Sequence, residues 1–270
     1  EVDTPTLSVA GATDATLRSF RTDWHGPAPA GGDSLYLQTS PEFAMKRLLA
    51  AGAGPIFQIC KAFRDGERGR LHNPEFSILE WYRPGYDHHR LMDEVEALVH
   101  TVAEERPPGP ARRHRYRDLF LDHLGLDPHR AGARELAACA RDHGVPIPAG
   151  MSEQDPDPDP WRDLLLTHSI EPALPAGLCF VYDYPASQAS LARIRSGDPP
   201  VAERFECYWD GLELANGYVE LTDAGEQRRR FEAVLREAAP ESFSEAAAQG
   251  DRYFFIPALE RHRGVCHFYL

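Results

Sequence analysis

Apolar and polar positions alternate with a period of two in PIFQICKAF (55–63) and again in EFSILEWYR (75–83), and β-branched and aromatic residues fill the apolar set. The alternation predicts two strands. A polar run, RDGERGRLHNP, separates them, so the pair is expected to be antiparallel with a charged connection. Just upstream, Ser40 reads as an N-cap with Pro41 in the first turn and Glu42 behind it, and Phe43, Leu48 and Leu49 supply an apolar helix face up to Gly52. From His88 to Glu105, Leu91, Val95, Leu98, Val99 and Val102 recur at i, i+4, i+7, i+8 and i+11, the spacing of an amphipathic helix whose apolar face is core. Shorter helical patterns follow at Tyr116–Leu124, Arg134–His143 and Trp161–Ser169, interrupted by a DPDPDP run (155–160) that cannot continue a helix. Strand signals return at LCFVYDYP (178–185), RFECYW (204–209) and NGYVEL (216–221), after which Asp223 caps a helix to about Glu237. The segment before Gly32 reads as a short strand and an irregular connection. The pattern predicts an α+β chain forming a single domain: one discontinuous antiparallel sheet flanked by helices, with a helical insertion at about 106–175.

Composition agrees with a folded chain. The 270 residues are 42% hydrophobic, enough for a sizeable core, which excludes disorder as the main state. A formal charge of −13 opposes general attraction to nucleic acid or anionic lipid, so any nucleic-acid contact must be local. No run approaches the roughly 20 apolar residues of a membrane span, and EVDTPTLSV has no secretory pattern. A soluble, cytoplasmic protein with no membrane partner is expected. The five cysteines are scattered, without metal-ligand spacing, and read as idle thiols. Of the 29 basic residues only Lys46 and Lys61 are lysine. The arginine-rich run RPPGPARRHRYR (106–117) reads as a solvated connection or, alternatively, as a patch for RNA or an acidic protein.

Three places concentrate chemistry. The loop between the first two long strands carries Arg64, Glu67, Arg68, Arg70, His72 and Asn73, and guanidinium forks suit a phosphate chain. A charge-balanced, solvated hairpin has the same composition. On the strand that follows, Phe76, Glu80 and Tyr82 share one parity, so an aromatic face, an acid and a phenol point to one side. In GLELANGYVEL, Glu213 and Glu220 lie seven apart, on opposite faces of a regular strand, unless a turn or bulge near Asn216–Gly217 brings them round. Two carboxylates near a triphosphate could hold Mg²⁺ through oxygen, or be two glutamates of an edge strand. In TSPE (39–42), a helix N-terminus offers N–H donors to an anion and Glu42 could accept an ammonium group.

TSPEFAMKRLLAAG, IFQICKAFRDGERGRLHNPEFSILEWYR and ERFECYWDGLELANGYVELTD, in this order, resemble the catalytic domain of class II lysyl-tRNA synthetases. Within it they are most similar to the short paralogues that attach a lysyl group to elongation factor P. The resemblance runs from Glu1 to about Phe231 and is weakest in the insertion. It implies a class II aminoacyl-tRNA synthetase-like antiparallel sheet, a homodimer with Pro5 at its interface, and formation of a lysyl-adenylate from ATP, with elongation factor P rather than tRNA as acceptor. By the same resemblance Arg64 would meet the α-phosphate of ATP and His72 the terminal phosphates. Glu67 and Asn73 would help hold the nucleotide, Phe76 would stack on adenine, and Leu214 would lie against the nucleotide beside Glu213. Ser40 and Glu42 would bind the α- or β-amino group of lysine or β-lysine, Tyr82 and Glu220 the ε-ammonium, and Asn216 would face that pocket. Glu213, with Glu220, would coordinate Mg²⁺.

Two departures stand out. Motif two of the tRNA-charging enzymes has glutamate two residues after its arginine; here Gly66 occupies that place and Glu67 follows. The glycine-rich strand and arginine-bearing helix of motif three are not found, and the chain reads GDRYFFIPALERHRGVCHFYL there, which leaves Arg261 or Arg263 as substitutes and predicts an opened sheet centre. A synthetase fragment acting on tRNA, or a non-catalytic remnant that dimerises or binds nucleotide, are therefore the alternatives to an active ligase.

Overall fold

The computed structural model describes residues 1–11, 17–27, 34–103, 110–238 and 266–269. In chain order its strands and helices are β1 (Leu7–Ser8), β2 (Arg21–Asp23), β3 (Ser34–Leu37), α1 (Glu42–Ala50), β4 (Ile56–Phe63), β5 (Glu75–Tyr82), α2 (His88–Val102), β6 (Arg112–Arg115), α3 (Tyr116–Leu124), α4 (Ala133–Asp142), α5 (Asp159–Leu165), β7 (Leu178–Pro185), β8 (Ile194–Arg195), β9 (Val201–Trp209), β10 (Leu212–Val219), α6 (Ala224–Ala238) and β11 (Cys266–Tyr269). They form two compact units. One comprises residues 1–85 and 221–270, the other residues 86–220.

In the first unit β4 and β5 pair antiparallel, with Gln58 opposite Glu80 and Ile56 opposite Tyr82. The period-two reading holds: Ile56, Gln58 and Ala62 are buried while Phe57 and Ile59 are exposed. β11 runs antiparallel along the other side of β5, Tyr269 opposite Glu80. Where an opened sheet centre was expected, β11 thus covers the Glu80–Tyr82 end of β5, since extended main chain needs no particular motif to pair. Arg261 and Arg263 lie outside the described residues. Near the start of the chain, β1, β3 and β2 form a small antiparallel sheet where one strand was expected.

Helix α1 begins one residue later than the sequence suggests, with Pro41 at the cap position, although Ser40 Oγ still accepts the Glu42 N–H at 3.2 Å. Its buried side chains are Met45, Lys46 and Leu49 rather than Phe43 and Leu48; Phe43 instead meets Phe231 of α6 edge-on, with centroids 6.3 Å apart. Asp223 caps α6 as expected, accepting the Glu226 N–H at 2.6 Å.

The second unit is built on β10, β9, β7 and β6, in that order, with β8 on β9. β10–β9 and β9–β7 are antiparallel, but β6 runs parallel to β7, so this sheet is mixed. The strand β6 also corrects the reading of the arginine run. Its residues from Arg112 onward are ordered structure, and Arg113 pairs with Asp93 and Glu96 of α2 while Arg117 pairs with Asp127. Helix α2, capped by Asp87, buries Leu91, Met92, Val95 and Val99 against β9 and β10. Val102, expected on that face, is exposed at the last residue of the helix. α5 starts at Asp159, inside the DPDPDP run, because Pro160 in a first turn gives up no helical hydrogen bond. Among the described residues no helix is long and apolar enough to cross a membrane.

Candidate active site

In the first unit the charged loop folds back on its strands. The Arg64 N–H donates to the Pro74 carbonyl at 2.9 Å, and the Gly69 N–H to the His72 carbonyl at 3.0 Å. The Arg64 side chain is largely buried. Its guanidinium carbon lies 4.9 Å above the centre of the Phe76 ring, and its Nε points to the Thr39 carbonyl at 3.4 Å. That contact joins the hairpin to the TSPE turn. Gly66 takes a left-handed φ of 88°, which a side chain would resist, and beyond it the Glu67 carboxylate sits 3.7 Å from Arg64. His72 and Asn73 are exposed on the loop.

Further along β5, the Tyr82 hydroxyl donates to Glu80 Oε1 at 2.7 Å, and both side chains are wholly buried. The shared parity of Phe76, Glu80 and Tyr82 thus becomes an arrangement of aromatic ring, acid and phenol along one strand. On α1, Glu42 Oε1 accepts from Lys46 Nζ at 2.6 Å.

In the second unit the acidic strand changes parity between its two glutamates, by a different device from the one expected. β10 carries one surplus residue: Glu213 is opposite Tyr208 and Ala215 opposite Cys207, so the bulge falls at Leu214. Asn216–Gly217 runs straight through the strand, opposite Glu206 and Phe205, and the turn lies earlier, at Asp210–Gly211. The slip puts Glu213, Asn216 and Tyr218 on one side, and Glu220, paired with Ala192, continues their parity. Glu213 is exposed; Asn216 and Glu220 are buried, and the Asn216 Oδ1 has no hydrogen-bond partner.

The sequence reading missed a polar cluster on the same side. Glu206, opposite Asn216, accepts hydrogen bonds from the hydroxyls of Tyr184 (2.6 Å) and Tyr208 (2.5 Å) and pairs with Arg204 at 2.5 Å. Burial, with the Glu206 charge behind it, pushes both phenols far above their ordinary range, so they stay protonated donors. The signal was present: YDYP and RFECYW place tyrosines and an acid at alternate positions of otherwise apolar strands, as Glu80 and Tyr82 do in β5.

Carboxylate oxygens are suitable donors for Mg²⁺, which binds nucleotides through one or two carboxylates plus phosphate oxygens rather than in a protein cage. Glu213 of β10 and Glu220, the residue after its end, are carboxylates of the kind that mode uses. Among the described residues no group of three or more His, Cys, Asp or Glu side chains could cage a metal. Burial pushes the Cys60 and Cys179 thiols up to about 11, consistent with idle cysteines.

The family profile of tRNA synthetases class II (D, K and N) matches residues 1–260. Elongation factor P–(R)-β-lysine ligase of Vibrio cholerae is 47% identical over 98% of this chain and 80% of its own length. The ligase of Pectobacterium atrosepticum is 48% identical over 91% of this chain and 74% of its own. That of Pseudoalteromonas translucida is 50% identical over 86% and 70%.

Proposed function

Because the chain belongs to the class II tRNA synthetases (D, K and N), and within them to the elongation factor P–(R)-β-lysine ligases, we propose that it activates lysine or β-lysine with ATP and transfers the acyl group to a lysine of elongation factor P in the cytoplasm. The 47% identity to the Vibrio cholerae ligase, over 98% of this chain and 80% of the ligase, carries this reading.

In the first step a carboxylate oxygen of the amino acid attacks the α-phosphorus in line, and the bond to pyrophosphate breaks, leaving an aminoacyl-adenylate. In the second, the amine of the acceptor lysine attacks the acyl carbon, loses a proton and releases AMP. No enzyme nucleophile is needed, so positioning and charge neutralisation supply the rate. Arg64, held against Phe76 and the Thr39 carbonyl, is assigned to the α-phosphate, His72 to the terminal phosphates, and Glu67 and Asn73 to the nucleotide. Phe76 stacks on adenine, and Leu214 lies against the nucleotide. Glu213, with Glu220, would hold Mg²⁺, which neutralises phosphate charge when bound. Ser40 and Glu42 are assigned to the α- or β-ammonium, Asn216 to the substrate, and Tyr82 and Glu220 each to the ε-ammonium. Buried acids and phenols of this kind reject an analogue that leaves them unmatched.

The protein is incubated with ATP and labelled (R)-β-lysine or lysine, and with elongation factor P or tRNA as acceptor. Pyrophosphate exchange that depends on the amino acid, and label on elongation factor P, are expected. Label on tRNA alone would overturn the acceptor, and absence of exchange would overturn the enzyme reading.

A further inference from the structure

Helix α1 holds a buried cation that the reaction scheme does not use. Lys46 has a side chain only 1% exposed, and its ammonium lies 2.6 Å from Glu42 Oε1. An ion pair four residues apart on a helix ordinarily sits in solvent and contributes little. Here the ammonium is out of water, and the loss of its hydration has to be offset by the groups around it. Packing alone does not call for that charge. Met45 and Leu49 already anchor α1 in a cluster with Ile56 and Tyr82, and an apolar side chain of similar length would hold the helix more cheaply.

Composition sharpens the point. Of the 29 basic residues 27 are arginine, and the other lysine, Lys61, is 55% exposed. At position 46 the chain keeps an ammonium, a compact charge with three donors, where the planar guanidinium fork would need more room. The Ser40 hydroxyl meanwhile fixes the Glu42 main chain, so the acid is held at both its backbone and its carboxylate.

We propose that Lys46 is a positioning residue for substrate selection: it holds the Glu42 carboxylate in one orientation, ready for the α- or β-ammonium of the incoming amino acid. The proposal rests on the assignment of Glu42 to that ammonium, and the two can be separated.

Pyrophosphate exchange is measured for Lys46→Met, Lys46→Arg, Glu42→Gln and the double variant, with lysine and with 6-aminohexanoate, which lacks the amino group concerned. Lys46→Met is expected to raise KM for lysine about tenfold or more while KM for ATP stays within about twofold, the loss of one charge-assisted interaction. The preference for lysine over 6-aminohexanoate shrinks with it, and Lys46→Arg restores part of the loss. If Glu42→Gln leaves lysine KM unchanged, the assignment of Glu42 fails; if Glu42→Gln raises it and Lys46→Met does not, the role of Lys46 fails alone. Should Lys46→Met not fold, the double variant decides: its lysine KM matches Glu42→Gln if Lys46 acts through Glu42, and a further rise overturns the proposal.

Discussion

Asp183 shows how much one buried side chain can carry. It sits at the register shift of β7 with a left-handed φ of 59°, pairs with Arg195 at 2.6 Å and lies 3.5 Å from His88. Burial pushes its carboxyl up, but the neighbouring His88 and the hydrogen-bonded Arg195 guanidinium outweigh that and hold it below the ordinary carboxylate value. A depressed acid contributes stability that is present above its unfolded pKa of about 3.9 and is lost as pH falls through the lower folded value. Asp183→Asn is therefore expected to cost about 2–4 kcal/mol at pH 7. Urea melts should show the gap to the parent closing below about pH 4. The sequence displayed this aspartate inside an apolar strand, yet its partners come from α2 and β8, far along the chain, and no local pattern names them. By contrast Arg64, Phe76, Glu80 and Tyr82 were legible because neighbours along one hairpin become neighbours in space.

Elements were legible where a single period ran unbroken and misjudged where turn chemistry intervened. β4, β5, α3 and β7 follow their patterns closely. β10 begins four residues before its reading, because the Asp210–Gly211 turn was overlooked in favour of Asn216–Gly217. Asp210 and Gly211 both have positive φ, 50° and 77°, as the tight two-residue link of β9 to β10 requires. Asp210 also accepts the Gly177 N–H at 2.7 Å. Gly211→Val puts a β-branched residue into left-handed backbone, which costs about 1–2 kcal/mol. Its melting temperature should fall by about 2–4 °C. An unchanged melt would show that the link does not hold its conformation. The bulge at Leu214 was anticipated only as a need, since the parity of two carboxylates demands a slip somewhere but leaves its position to strand pairing.

At the scale of the whole molecule, homodimerisation remains an expectation of the family resemblance, and one surface of the first unit supports it. Phe57 and Ile59 are 41% and 63% exposed on the outer side of β4, and Leu7 is exposed as well. Apolar side chains on a strand of this kind mark an interaction face. Phe57→Asp with Ile59→Lys is expected to convert a dimer to monomer in sedimentation equilibrium while circular dichroism keeps its shape. A parent already monomeric at micromolar concentration would reject the dimer. The division of the chain also governs the order in which its parts can form. Residues 86–220 are continuous, whereas β5 can pair with β11 only once most of the chain has been made. Until then the Glu80–Tyr82 edge of β5 lacks its β11 partner, and a nascent chain stalled after α6 would present it to chaperones.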